Sequence, residues 1–243
     1  MDLKGFLDVS FVDWDGKVCS VVFLSRCNFR CPFCHNVNLV LYPETLETIP
    51  FEIIEKNLKR QKDWIDGVCI TGGEPTLNST LPDLCLKIKK MGFLVKLDTN
   101  GTNPTMIKEL VDSKLVDYIA MDIKAPLTLE KYSKATDVNT EKLLENVKKS
   151  IQILKESNID YEFRTTVVPT LHKVDDVKQI CQSLQGCKKY VLQEFDVGIG
   201  QEIINPELKS QSFSEEEIQA FLNVAQTLIP NTKQRGNLRQ IEN

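Results

Sequence analysis

The 243-residue chain reads as a mostly parallel α/β fold, and three observations predict it. Short β-branched apolar runs alternate with amphipathic helical patterns along most of the sequence, the pattern of a parallel sheet under covering helices. The runs are almost continuously apolar, as strands buried on both faces must be. Polar residues foreign to a core sit at the C-terminal ends of these runs, where α/β barrels build their sites. Six β/α units in sequence imply a partial barrel or an open sheet in one domain.

Taken in order, residues 6–14 with Asp15-Gly16 form an extended segment and a tight turn. The strand candidates are 18–24, 67–71, 93–98, 116–122, 161–168 and 190–195. Pro50 suits a first helical position, with Phe51, Ile54 and Leu58 on one face. Leu81, Leu84, Ile88 and Met91 repeat in the same way, and Gly92 stops that helix. Asn103 caps a helix that turns Ile107, Leu110 and Val111 inward. Thr140 precedes a helix carrying Leu143, Val147, Ile151 and Leu154. Val174, Val177, Ile180, Cys181 and Leu184 mark another, and a last one lies near 215–228. The core is thus 18–195, between an N-terminal extended segment, 1–17, and a C-terminal helical tail, 196–243.

Hydrophobic residues make up 42% and charged residues 26%, ordinary for a soluble globular chain. A net charge of −4 argues against a general nucleic-acid binder. No apolar run reaches the length of a membrane span, and Met1-Asp2-Leu3-Lys4-Gly5 is no signal peptide. Eight cysteines without an export signal point to a reducing cytoplasm. Of Cys19, Cys69, Cys85, Cys181 and Cys187, four fall in apolar contexts and read as small core residues.

The other three, Cys27, Cys31 and Cys34, share one short loop after the first strand. Three thiolates there can hold three irons of a four-iron cluster and leave the fourth iron open. A zinc site, or a structural cluster completed by a distant cysteine, uses the same residues. His35 is either a fourth zinc ligand or a hydrogen-bond donor to a cluster sulfur. Phe33, between two of the cysteines, either shields the cluster or packs on a ligand ring.

Further motifs end the later strands. Gly72-Gly73 permits close backbone approach, and Glu74-Pro75 adds a carboxylate and a stiff exit. Asp98-Thr99-Asn100-Gly101 supplies oxygen ligands or merely a turn. Asp122 and Lys124 end the fourth run. Arg164 is a charge within an apolar strand and needs a partner or an anion. His172 lies in the loop after the fifth run.

The Cys-x3-Cys-x2-Cys run resembles the signature of the radical S-adenosylmethionine (SAM) enzymes. The finer match takes in His35-Asn36, Gly67 through Thr76, Lys96 through Gly101, Ala120 through Pro126 and Glu162 through Pro169. Together these resemble the glycyl-radical-enzyme activases of anaerobic ribonucleoside-triphosphate reductase. The pyruvate formate-lyase activating enzymes are similar in pattern. The resemblance covers about 18–195.

It implies a partial (β/α)6 TIM-like barrel, with Cys27, Cys31 and Cys34 on a [4Fe-4S] cluster. It implies SAM contacts from Gly73, Glu74, Asp98, Lys124 and Arg164. Phe33, Gly72, Thr99, Asn100 and His172 are further candidates around SAM, and Asp98, Thr99 and Asp122 for a monovalent cation. The implied partner is a glycyl-radical enzyme, with flavodoxin or ferredoxin as electron donor. Basic clusters at Lys56, Lys59, Arg60 and Lys62, and at Lys87, Lys89 and Lys90, are docking candidates for an acidic donor. A radical SAM enzyme acting on a pterin or deazapurine, and a non-catalytic iron–sulfur or zinc protein, are the alternatives. Cys69 alone separates the two first motifs, so one cluster is expected.

Overall fold

In the computed structural model, which describes residues 2–196, 198 and 201–236, eight strands form one sheet in sequence order. β1 (Leu3–Ser10) pairs antiparallel with β2 (Cys19–Leu24). From β2 onward every pairing is parallel: β3 (Gly67–Gly72), β4 (Leu94–Thr99), β5 (Tyr118–Asp122), β6 (Asp160–Val167), β7 (Tyr190–Glu194) and β8 (Thr232–Arg235). The two edges, β1 and β8, do not pair with each other, so the barrel is partial.

The helices fill the crossovers. α1 (Val37–Leu41) and α2 (Phe51–Arg60) join β2 to β3; α3 (Leu81–Lys90) and α4 (Pro104–Asp112) follow β3 and β4. α5 (Leu129–Thr136) and α6 (Glu141–Glu156) lie between β5 and β6, α7 (Val174–Leu184) between β6 and β7, and α8 (Glu215–Leu228) before β8. Asn103 accepts a hydrogen bond from the Met106 N–H and so caps α4. The apolar stripes read from the sequence are the buried ones: Ile54 and Leu58, Leu84 and Ile88, Ile107 and Leu110 are fully buried. Each contributes about 1.5–3 kcal/mol by leaving water.

The six core strands lie within two residues of the predicted runs. The ends differ. In the N-terminal segment Leu3–Ser10 is a strand and residues 11–16 bend and turn instead of staying extended, and the tail is not all helix, because 232–235 forms β8. Its sequence, Thr-Lys-Gln-Arg, buries only Thr232 and carries no apolar pattern to betray it.

Inside the sheet, side chains stack in layers. Trp14, Cys19, Val21 and Cys69 form an apolar floor with Tyr118, whose ring lies 6.0 Å from that of Trp14. The loop after β1 reaches across the interior: Asp15 pairs with Lys189 at 2.7 Å and with Arg235 at 2.8 Å. Both cations also pair with the buried carboxylate of Glu162. Among the described residues, no helix is long and apolar enough to cross a membrane.

Candidate active site

The C-terminal ends of β2 to β8 surround one cavity of about 680 Å3. Cys27, Cys31 and Cys34 line it from the loop after β2; Gly72, Gly73 and Glu74 from β3; Asp98, Thr99 and Asn100 from β4; Asp122 and Lys124 from β5; and Arg164 from β6. Phe33 joins them. The sequence motifs therefore converge as expected.

The glycine pair is required by the chain's own backbone. Gly72 has φ +122°, and a Cβ there would lie 2.1 Å from the Leu24 carbonyl oxygen. At Gly73 a Cβ would lie 1.9 Å from the Arg26 carbonyl oxygen. This contact lets Gly73 N–H donate to Leu24 and Glu74 N–H to Arg26, at 2.8 and 2.7 Å. The β3 loop is thereby stitched to the base of the cysteine loop. Asn36, without an assigned role in the sequence reading, adds a bond from Nδ2 to the Gly72 carbonyl at 2.6 Å.

Glu74 is 1% exposed and not a surface turn residue. Its carboxylate accepts from the Thr76 N–H and hydroxyl, from the Thr99 hydroxyl at 2.7 Å and from the Asn100 N–H at 2.6 Å. Burial raises its pKa even against those four donors. Asn100 passes the link on, with Nδ2 donating to Asn28 at 2.9 Å and lying 3.8 Å from Cys27 Sγ. Phe29 N–H donates to the same sulfur at 3.4 Å.

The three thiols are held protonated by burial. It pushes Cys27 up to about 11 and Cys31 to about 12, and it raises Cys34 as well. Metal loading must therefore expel protons from this loop. Among the described residues, no three His, Cys, Asp or Glu side chains converge on one ion. Thiols spread along a shared wall, with N–H groups beside the sulfur, are a donor set that fits a cluster, which takes one thiolate per iron.

A charged ladder completes the opposite wall. Arg164 donates from Nη1 to Asp98 at 3.0 Å and from Nε to Asp122 at 2.9 Å. Lys124 donates to the other oxygen of Asp122 at 3.0 Å, and its Nζ lies 5.7 Å from the Phe33 ring centre. Burial works against the Asp122 anion, but Arg164 and Lys124 overcome it and hold its pKa at about 2. Asp98 is likewise lowered, with Arg164 and Lys96 outweighing burial.

Lys96 opens the Lys96–Gly101 motif, which by itself assigns it no role. Its side chain is 2% exposed, and its Nζ lies 2.5 Å from Asp98 Oδ1. The signal was available: it stands two residues before Asp98 in a strand, hence on the same face.

His172 is not in the cavity wall. Its Nδ1 accepts from the Val168 N–H, and its Nε2 donates to the Lys124 carbonyl at 2.9 Å. It sits buried behind Lys124 because burial favours the neutral ring, whose two nitrogens are both satisfied there. His35 lines the cavity, but its Nε2 donates to the Asp196 carbonyl at 2.9 Å. Gln193 and Glu194 of β7, Phe195 just after it and Arg235 of β8 add to the wall, and Phe11, Val12, Asp13 and Asp15 line it from the loop after β1.

A sequence model of the Radical SAM superfamily matches residues 21–184. The chain belongs to the radical SAM superfamily. Its cofactors are accordingly a [4Fe-4S] cluster and SAM. A Methanocaldococcus jannaschii protein named "Putative glycyl-radical enzyme activating enzyme" is 33% identical over 197 residues, 80% of each chain. The 7-carboxy-7-deazaguanine synthase of Thermococcus kodakarensis is 33% identical over 143 residues, 58% of this radical SAM chain and 53% of that one. SuiB of Streptococcus suis bound to S-adenosylmethionine superposes with a TM-score of 0.65 at 13% identity. The match covers 89% of this chain and 51% of SuiB, and likeness at that identity speaks for the fold alone.

Proposed function

We propose that this radical SAM enzyme is a glycyl-radical-enzyme activase whose partner is anaerobic ribonucleoside-triphosphate reductase. The observation that carries the reading is the 33% identity over 80% of both chains to a relative bearing an activase name. The unpaired edges β1 and β8 support it, since a partial barrel admits a peptide loop from the side.

Cys27, Cys31 and Cys34 would hold three irons and leave the fourth to SAM. When bound, cluster and SAM would supply reductive one-electron cleavage, the electron coming from an external donor, and with it hydrogen-atom abstraction from a partner glycine. The chain's own task is placement. Gly73 and Glu74 fix the loop that meets the SAM amino group. Lys124 and Arg164 provide the positive charge for its carboxylate. Asp98, Thr99 and Asn100 face the ribose, and Phe33 covers the adenine side and excludes water.

Flavodoxin or ferredoxin is the proposed electron donor. Lys59 and Arg60 of the first basic cluster lie in the last turn of α2, with Lys56 a turn earlier and Lys62 just past it, and Lys87, Lys89 and Lys90 lie in the last turn of α3. Helices that return between parallel strands end at the barrel floor, so these lysines lie away from the cysteine loop. The cysteine-loop face, nearer the cluster ligands, is the docking face we propose for the donor.

Reduced, cluster-loaded protein mixed with SAM and the reductase should give a glycyl radical by electron paramagnetic resonance. SAM cleavage that leaves no radical on any glycyl-radical enzyme overturns the reading. A second reading, a deazapurine or pterin enzyme, draws on the similarity to 7-carboxy-7-deazaguanine synthase. It requires turnover of a purified metabolite with no protein partner.

A further inference from the structure

The resemblance implies a monovalent cation on Asp98, Thr99 and Asp122, and these residues do not fit one. All four carboxylate oxygens are engaged. Asp98 Oδ1 accepts from Lys96 and Oδ2 from Arg164; Asp122 Oδ1 accepts from Arg164 and Oδ2 from Lys124. The Thr99 hydroxyl donates to Glu74 and accepts from the Gly101 N–H. Three cations already face two carboxylates here, so a further ion meets net repulsion.

Lys96 is the member of this group with no other task. It lies behind the cavity wall and meets the lining through Asp98. It lies in the floor layer, where Val21 pairs with Cys69, Cys69 with Lys96 and Lys96 with Tyr118. Beyond Asp98, its Nζ meets the Cys69 sulfur at 3.8 Å, part of the apolar floor, while Arg164 holds the other oxygen of Asp98. A buried ammonium costs several kcal/mol to desolvate, so it persists only where its charge is needed. Its charge falls on Asp98, and through Asp98 on the Arg164 fork.

We propose that the Lys96 ammonium is a tethered substitute for the monovalent cation, so that this enzyme binds SAM independently of alkali-metal ions. Lys96 is a positioning residue: it neutralises Asp98 from below and leaves Arg164 aimed into the cavity. The inference rests on the SAM site and not on the identity of the partner.

Calorimetric titration of the cluster-loaded protein with SAM tests it, in choline, sodium or potassium chloride at equal ionic strength. The wild type should show the same Kd in all three salts. A Kd about tenfold tighter in sodium or potassium overturns the proposal, and that measurement stands whether or not any variant folds. Lys96→Ala, which removes the charge and makes room for an ion, should bind SAM about tenfold more weakly in choline and recover in sodium or potassium. In the cluster-free variant, the same two salts should raise the melting temperature above its value in choline; in the wild type they should not. A variant weak in every salt, or as tight as wild type in choline, overturns the role given to Lys96. Failure of the wild type to bind SAM in any salt overturns the site itself.

Discussion

The two sides of the cavity mouth are built differently. From β2 to β6 the polar side chains are locked to one another: Glu74 accepts four hydrogen bonds, and the carboxylates of Asp98 and Asp122 are each held at both oxygens. On β7, Gln193 and Glu194 present half-buried side chains to the same cavity. Among the described residues, neither side chain has a hydrogen bond or ion pair. A wall fixed in advance suits a cofactor that never changes. A wall with unengaged polar groups suits a substrate that brings its own. Under the proposed function, SAM would lie against the first side and the radical's target would be selected at the second.

The strongest challenge to this division is Cys31→Ala. Iron content and 5′-deoxyadenosine should fall to background; a four-iron spectrum with normal turnover breaks the assignment of the locked side. Arg164→Ala comes next. It takes one of two cationic partners from each of two carboxylates, leaving Lys96 on Asp98 and Lys124 on Asp122, and should cost the cluster-free protein about 1.5–3 kcal/mol in urea denaturation. A loss below about 1 kcal/mol would mean that the ladder is solvated, like a surface pair.

The pH dependence sharpens the same point. Asp122 titrates near 2 in the fold, below its unfolded value of 3.8. Its contribution is therefore present above pH 4 and lost as pH falls towards 2, roughly 2 kcal/mol in all. Asp122→Asn should flatten that acid limb, as read by denaturation at successive pH values. The smallest effect is expected on the other side. Glu194→Gln should leave SAM cleavage without a partner unchanged, and lower the yield of glycyl radical by no more than about tenfold. If it halts SAM cleavage instead, the division between the two sides fails.

The locked side was largely legible in the sequence because its signals are local. A glycine pair, an Asn-Gly turn and three close cysteines each carry their meaning within a few residues, and six apolar strands of the same type place them together. What escaped depends on distant partners. β8 has no apolar period and exists through its pairing with β7. Lys96 passed as part of an apolar run, since its worth appears only when Asp98 and Cys69 surround it. His172 carried the chemistry of a ligand, but Val168 and Lys124 consume both of its nitrogens. The reach of Arg235 to Asp15 spans nearly the whole chain.

That last contact bears on how the barrel is shut. Adjacent strands hold together by ladders of backbone hydrogen bonds, which ions in solution hardly touch. Across the seam, the loop after β1 is fastened by Asp15 to Lys189, just before β7, and to Arg235 of β8, three partly exposed side chains. Dissolved salt screens such pairs over about 8 Å at physiological strength. The protein therefore has a joint that loosens with its ionic surroundings while the backbone ladders beside it stay tight.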